Sequence, residues 1–225
     1  MSTPEISEDS INYPMQRIGI FGGTFDPIHF GHIHTAKQTA QWLNLDKLLI
    51  LPSHIPPHKN KTLATAQQRL AMVDLVCQKD PTFILDKREL NKSSPSYTVE
   101  TLQEIKNEYA QTQLFFIVGM DSLLTFKTWH KYQEILSLCH LVVNSRPNYH
   151  VDKNNTELTQ LLASHQINHP NKLKKKSAGC ILLHDSKDWY ISSTEIREKI
   201  KNNHNCSELL PVDVLSYINK EQLYR

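Results

Sequence analysis

An α/β fold, a doubly wound and mostly parallel sheet with a small helical subregion at the carboxyl end, is predicted for this chain by three observations. Short apolar runs alternate with amphipathic stretches of helical spacing along its 225 residues, the pattern of strands and helices in layered α/β proteins. The most apolar run, residues 114–118, lies mid-chain and ends at Gly119, as expected of a strand buried on both faces of a parallel sheet. A Gly-rich string closes the first apolar run and passes at once into a stretch that can be helical. That unit places ligands at the carboxyl edge of such sheets.

The elements follow in order. Residues 17–21, with Ile18, Ile20 and Phe21, form the first strand, and residues 33–43 a helix with Ile33, Ala36, Ala40 and Leu43 on one face. Residues 48–51 make the second strand; segment 52–62 contains Pro52, Pro56 and Pro57 and is a loop. A helix from Thr65 to near Cys77 carries Leu70, Val73, Leu75 and Val76, and residues 83–85 form the third strand. A Ser/Pro loop at 93–96 precedes Val99, Leu102, Ile105 and Tyr109, which keep helical spacing before the central strand at 114–118. Residues 141–143 and 180–183 complete the strands, separated by a polar stretch from 148 to 177, and helices around 194–201 and 212–219 close the chain. The candidate motifs follow strands one, two, four and the last, so they share one edge of the sheet. Residues 17–225 are thus expected to form a single domain, with its helical part from about residue 186, behind a flexible tail at 1–16.

Composition narrows the function classes. Charged residues make up 21% and the formal net charge is +2, which argues against a dedicated nucleic-acid surface. Residues 1–16 are polar and acidic (Glu5, Glu8, Asp9), unlike a signal peptide. No apolar stretch approaches the roughly 18 residues needed to span a bilayer, so no membrane partner is expected. Cys77, Cys139, Cys180 and Cys206 are far apart without a CxxC pair, which fits reduced core thiols in a cytoplasm. Lys172, Lys174, Lys175 and Lys176 form the one charge run, read as a solvated loop. Oligomeric state is not legible, because an interface face and a core face look alike in one sequence.

The chemistry concentrates in two strings. Residues 22–32 read Gly-Gly-Thr-Phe-Asp-Pro-Ile-His-Phe-Gly-His, and four of the six glycines in the chain, Gly22, Gly23, Gly31 and Gly119, fall at strand-loop elements. Gly22 and Gly23 let the backbone take a positive φ or approach a ligand closely, and residues 24–26 then aim N–H groups at phosphate. His29 and His32, at a helix start, lie on one face with Gly31 between them leaving room for a ligand. The pair suits the oxygens of a triphosphate; two surface histidines, or a metal pair with Asp26 as third ligand, are the alternatives, and no protein-held metal is expected. The second string, Ile-Ser-Ser-Thr-Glu-Ile-Arg at 191–197, opens a helix with Ser192 and Glu195 spaced as a capping box. Arg197 is a cation in an early turn, where the helix dipole disfavours it by a few tenths of a kcal/mol. A nearby anion reverses that sign, so Ser193, Thr194 and Arg197 make a phosphate site, with pairing of Arg197 to Glu195 or to a surface acid as the alternative.

Together these strings resemble the HxGH and ISSTxIR elements of the nucleotidyltransferase superfamily. The residues between them, Pro56-Pro57-His58-Lys59, Ser96-Tyr97-Thr98, Gly119-Met120-Asp121-Ser122-Leu123, Trp129 and Ser145-Arg146-Pro147, are similar to bacterial nicotinate-nucleotide adenylyltransferases. The resemblance covers nearly everything after Gln16 and implies a Rossmann-like nucleotidyltransferase domain, cytoplasmic, that transfers AMP from ATP to nicotinate mononucleotide in NAD biosynthesis, with Mg²⁺ bound to the ATP.

It also implies roles. His29 and His32 hold the ATP phosphates and steady the charge on the α-phosphorus; Gly22, Gly23, Thr24, Phe25, Lys59, Ser193, Thr194 and Arg197 bind the polyphosphate. Gly119 and Asp121 serve the ribose, with helix capping an equal alternative for Asp121. Tyr97 and Thr98 offer backbone amides to the nicotinate carboxylate, and Trp129 stacks on the pyridine ring. Arg69 and Arg146 are added as further site candidates. Two other readings stand beside this one: another HxGH enzyme such as pantetheine-phosphate adenylyltransferase, and a non-catalytic adenine-nucleotide sensor.

Overall fold

The computed structural model describes residues 15–53, 62–92, 97–144, 155–173, 176–186 and 191–225. Seven strands, β1 (Gln16–Gly23), β2 (Lys47–Pro52), β3 (Phe83–Leu85), β4 (Thr112–Gly119), β5 (His140–Asn144), β6 (Gln166–Ile167) and β7 (Ile181–His184), form one sheet in the order β3-β2-β1-β4-β5-β7-β6. Every pairing is parallel. The chain winds outward from β1 through β2 to β3, then returns to β4 and winds the other way. The winding therefore reverses between β1 and β4, and a crevice opens beyond their carboxyl ends.

Alternation along the strands divides the core. Leu48 and Ile50 of β2, with Phe115 and Ile117 of β4, face the layer made by α1 (Phe30–Leu43) and α2 (Ala66–Lys79), where Ala36, Ala40, Leu43, Met72 and Val73 are buried. Leu49, Leu51, Leu114 and Phe116 face α3 (Thr98–Glu108) on the other side, against Val99, Leu102 and Ile105. β4 is buried from Thr112 through Val118, which explains its uninterrupted apolar character. Removing a side chain such as Phe115 from the middle of this strand would cost about 3–5 kcal/mol.

Several expectations change. α1 begins at Phe30 because His29 takes the N-cap position, and Pro52 ends β2 rather than opening the loop, since it sits in register with Gly23. The stretch after β4 contains α4 (Met120–Thr125), a 3-10 turn (Phe126–Thr128) and α5 (Tyr132–Leu138). The stretch read as polar holds α6 (Thr156–His165), which buries Leu158, Leu161 and Leu162, and the edge strand β6. The lysine run is not wholly a solvated loop: Leu173 is buried, and the Lys176 carbonyl accepts from Gln113 Nε2 at 2.6 Å and from His140 Nε2 at 3.1 Å. α7 (Ser193–Lys201) and α8 (Val212–Lys220) close the chain. Residues 1–14, Lys59, Lys174, Lys175 and Arg146 lie outside the described residues. Among the described residues no helix is long and apolar enough to cross a membrane.

Candidate active site

The turn after β1 is built by close approach rather than by glycine conformation. Neither Gly22 nor Gly23 has a positive φ; the left-handed residue is Phe25, at φ 50°. A Cβ on Gly23 would come within 2.8 Å of the Phe25 ring, so glycine there lets the phenyl group fold beneath the turn, where it is buried. Gly31 works the same way. Its missing Cβ leaves space taken by His29, with Nδ1 at 3.0 Å, and by Ile191 at 3.4 Å. The expected room for a ligand at Gly31 is instead the contact that brings the two strings together.

The two imidazoles stack, with ring centroids 3.7 Å apart and planes inclined by 25°. His29 Nδ1 accepts from the His32 backbone N–H at 3.4 Å, which leaves the proton of a neutral His29 ring on Nε2. His29 is buried, while His32 is half-buried, packs edge-on against Phe25 with centroids 5.1 Å apart, and faces the cavity. The pair is therefore layered: His32 lines the cavity wall and His29 supports it from below.

The second string meets the first directly. Ser192 caps α7 by accepting from the Glu195 N–H at 3.1 Å, and the Glu195 carboxylate lies 3.6 Å from Lys199. Among the described residues Arg197 pairs with no acid: Nη1 donates to the Asp26 carbonyl at 2.8 Å and Nη2 to Thr194 Oγ1 at 3.1 Å. Ser193 Oγ donates to the Pro27 carbonyl at 3.0 Å. A guanidinium and a hydroxyl from one end of the chain thus clamp two successive carbonyls at the other.

Arg69 lies beneath the turn. It is fully buried, with Nη1 donating to the Thr24 carbonyl at 2.6 Å, so it braces the turn from beneath and is not among the residues that line the cavity. Burial pulls its pKa down and the neighbouring Asp26 carboxylate partly restores it.

A cavity of about 650 Å³ opens at the switch point. Gly22, Gly23, Thr24, Phe25, His32 and Ser193 form one end of it, whereas His29, Thr194 and Arg197 are not among its lining residues. Gly119 and Asp121 flank it at the start of α4, where Asp121 is exposed in the first turn and the Gly119 N-cap has no side-chain bond. Tyr97, Thr98 and Trp129 form the other end. Tyr97 and Thr98 open α3, so N–H groups without helical partners lie there. Trp129 is half-buried, edge-on to Phe116 at 6.1 Å and tilted against Phe126 at 5.6 Å between centroids, which holds the indole in one orientation.

Two groups went unnoticed in the sequence, and a third has another role than those considered. Glu89, in the turn after β3, also lines the cavity; its Oε1 accepts from Thr101 Oγ1 at 3.0 Å, and burial outweighs that bond and the nearby Lys92 to push its pKa up. Asp26, whose carboxylate is considered above only as a metal ligand, accepts from the N–H groups of Leu63 at 3.0 Å and Ala64 at 3.2 Å. Tyr224 Oη donates to Asp26 Oδ1 at 2.7 Å. Only the position of Asp26 inside the first string signalled the second group; nothing local signalled the other two.

Residues 20–199 match the profile of the cytidylyltransferase-like family. The probable nicotinate-nucleotide adenylyltransferase of Yersinia pestis (strain Pestoides F) is 44% identical over 207 residues, covering 92% of this chain and 94% of the relative. That of Shewanella woodyi is 43% identical over 209 residues, covering 93% and 99%. The structure of Plasmodium falciparum nicotinic acid mononucleotide adenylyltransferase complexed with NaAD superimposes with a TM-score of 0.71 at 16% identity, over 93% of this chain and 97% of that one, so the fold is shared.

Proposed function

From membership of the nicotinate-nucleotide adenylyltransferase family, to which this chain belongs, we propose that it transfers the AMP of ATP to nicotinate mononucleotide, forming deamido-NAD and pyrophosphate in NAD biosynthesis. The observation that carries this reading is the clamp of Arg197 and Ser193 on the Asp26 and Pro27 carbonyls, which brings Ser193 to one end of a cavity whose other end is Trp129 and the start of α3. One end suits a polyanion and the other a flat ring bearing a carboxylate.

The chemistry is a displacement at phosphorus. An oxygen of the nicotinate mononucleotide phosphate forms the new bond to the α-phosphorus, the α–β bridging bond breaks, and pyrophosphate departs with that electron pair. Repulsion between two phosphate anions is the obstacle, so positioning and charge neutralisation supply the catalysis. His32 faces the reacting phosphate and His29 holds it in place. The N–H groups of the first turn and of Ser193 at the start of α7, together with Thr194 and Arg197, take the departing β and γ groups, with Lys59 as an added cation. Asp121 accepts from ribose hydroxyls, Trp129 stacks on the pyridine ring, and the Tyr97 and Thr98 amides receive its carboxylate. Among the described residues no group of three or more His, Cys, Asp or Glu side chains is placed to hold a metal, and the Asp26 carboxylate is already occupied. Mg²⁺ would enter with the substrate, as MgATP.

The test is pyrophosphate release from MgATP with nicotinate mononucleotide, nicotinamide mononucleotide or phosphopantetheine as acceptor. The first is expected to give the highest kcat/KM. Faster release with phosphopantetheine, or no acceptor-dependent release, overturns the reading.

A further inference from the structure

The catalytic turn is held by the end of the chain. Tyr224, the penultimate residue, is 8% exposed and donates to Asp26 Oδ1 at 2.7 Å; Asp26 is 6% exposed. The same carboxylate accepts the Leu63 and Ala64 N–H groups, just ahead of α2. Nearby, the Leu209 carbonyl accepts the Phe30 N–H at 3.0 Å, at the start of the helix that carries His32. Leu210, Val214, Ile218 and Tyr224 belong to the apolar cluster that contains Phe25 and Ile28. The carboxyl-terminal segment is therefore packed against both ends of the first string.

Backbone conformation makes the same point. Phe25 at φ 50° and Tyr224 at φ 63° are both left-handed, and both are buried. Bulky residues pay for that conformation and keep it only where their surroundings over-determine it. Here two such residues converge on Asp26, one beside it in sequence and the other through its hydroxyl. The Asp26 and Pro27 carbonyls in turn receive Arg197 and Ser193.

We propose that Tyr224 is a positioning residue for adenylyl transfer, orienting the Asp26–Pro27 segment through the Asp26 carboxylate so that Arg197, Ser193 and His29 are aligned on the polyphosphate. The inference rests on the function proposed above. It adds that the last residues must be docked for the polyphosphate end to be assembled, whereas the nicotinate end, built from α3, α4 and Trp129, does not depend on them.

The test is Tyr224→Phe, which keeps the ring and removes one oxygen, assayed by steady-state pyrophosphate release at 25 °C. A hydrogen bond to a charged acceptor is at stake, so kcat is expected to fall about tenfold, with KM for nicotinate mononucleotide within about twofold of wild type. Because Tyr224 acts through Asp26, Tyr224→Phe in an Asp26→Asn background should lower kcat no further. Wild-type kcat in Tyr224→Phe accompanied only by a lower melting temperature would make the residue merely structural and overturn the proposal, as would additive losses in the double variant. Failure of the wild-type protein to turn over at all would instead strike at the proposed function.

Discussion

Replacing Arg197 tests the junction of the two strings most directly. Its guanidinium makes two bonds within the protein, to the Asp26 carbonyl at 2.8 Å and Thr194 Oγ1 at 3.1 Å, and in the proposed complex a third to the departing phosphates. A charge-assisted bond to phosphate is worth about 1.5–3 kcal/mol and the carbonyl bond about 1 kcal/mol more, through the alignment of the turn. Arg197→Ala should then lower kcat/KM for ATP by about 10²- to 10³-fold. Lysine keeps the charge but lacks the planar fork that spans two acceptors, so Arg197→Lys should fall between, at about tenfold. The assay is pyrophosphate release with MgATP varied at saturating nicotinate mononucleotide, and KM for the acceptor should change little in either variant. Because the side chain is half-buried and its internal bonds are to neutral oxygens, the melting temperature should drop by only a few degrees. An Arg197→Ala enzyme within threefold of wild type in kcat/KM for ATP would refute the convergence argument, and so would a loss expressed wholly in the acceptor's KM.

Three further outcomes are expected. His32→Ala should keep its fold by circular dichroism and lose about 3 kcal/mol of transition-state stabilisation, roughly a hundredfold in kcat; near-normal kcat would remove His32 from the reaction. Trp129→Ala should raise KM for nicotinate mononucleotide by about tenfold through lost stacking, worth about 1 kcal/mol or slightly more, with KM for ATP unmoved, and an effect on ATP alone would misplace the ring. Glu89 carries a pH signature. Burial raises its pKa in the folded protein, so the folded state holds its proton more tightly and loses stability as pH rises from the ordinary carboxylate range through the raised value. Glu89→Gln removes that cost: its melting temperature should exceed wild type at pH 8 and converge on it near pH 4, and a variant less stable than wild type at pH 8 contradicts the assignment.

What was legible in the sequence divides by range. β1, β2, β3 and β4 and their amphipathic helices were readable because each buries a face with its own local period, as Ala36, Ala40 and Leu43 do along α1. α4 and α5, of 6 and 7 residues, are shorter than the window in which a helical period can be recognised, and α6 places Leu158, Leu161 and Leu162 correctly within surroundings too polar to draw notice. The two strings were legible as anion sites from residue type alone, but the bonds that join them span 166 and 171 residues, and no local pattern encodes those. The same holds for Tyr224 and Asp26, 198 residues apart, and for the left-handed Phe25, where glycine had been the natural guess. Residue chemistry thus marks what a site can bind, while the groups that aim it are recruited across the sheet by packing. Asp26 shows why the difference matters: considered alone its carboxylate is a candidate metal ligand, yet with both oxygens occupied by Leu63, Ala64 and Tyr224 it is a fastener. In the proposed reaction, charge neutralisation falls to Arg197, Lys59 and the cation that accompanies ATP, with the imidazoles as hydrogen-bonding groups, while the Asp26 carboxylate holds the turn that positions them.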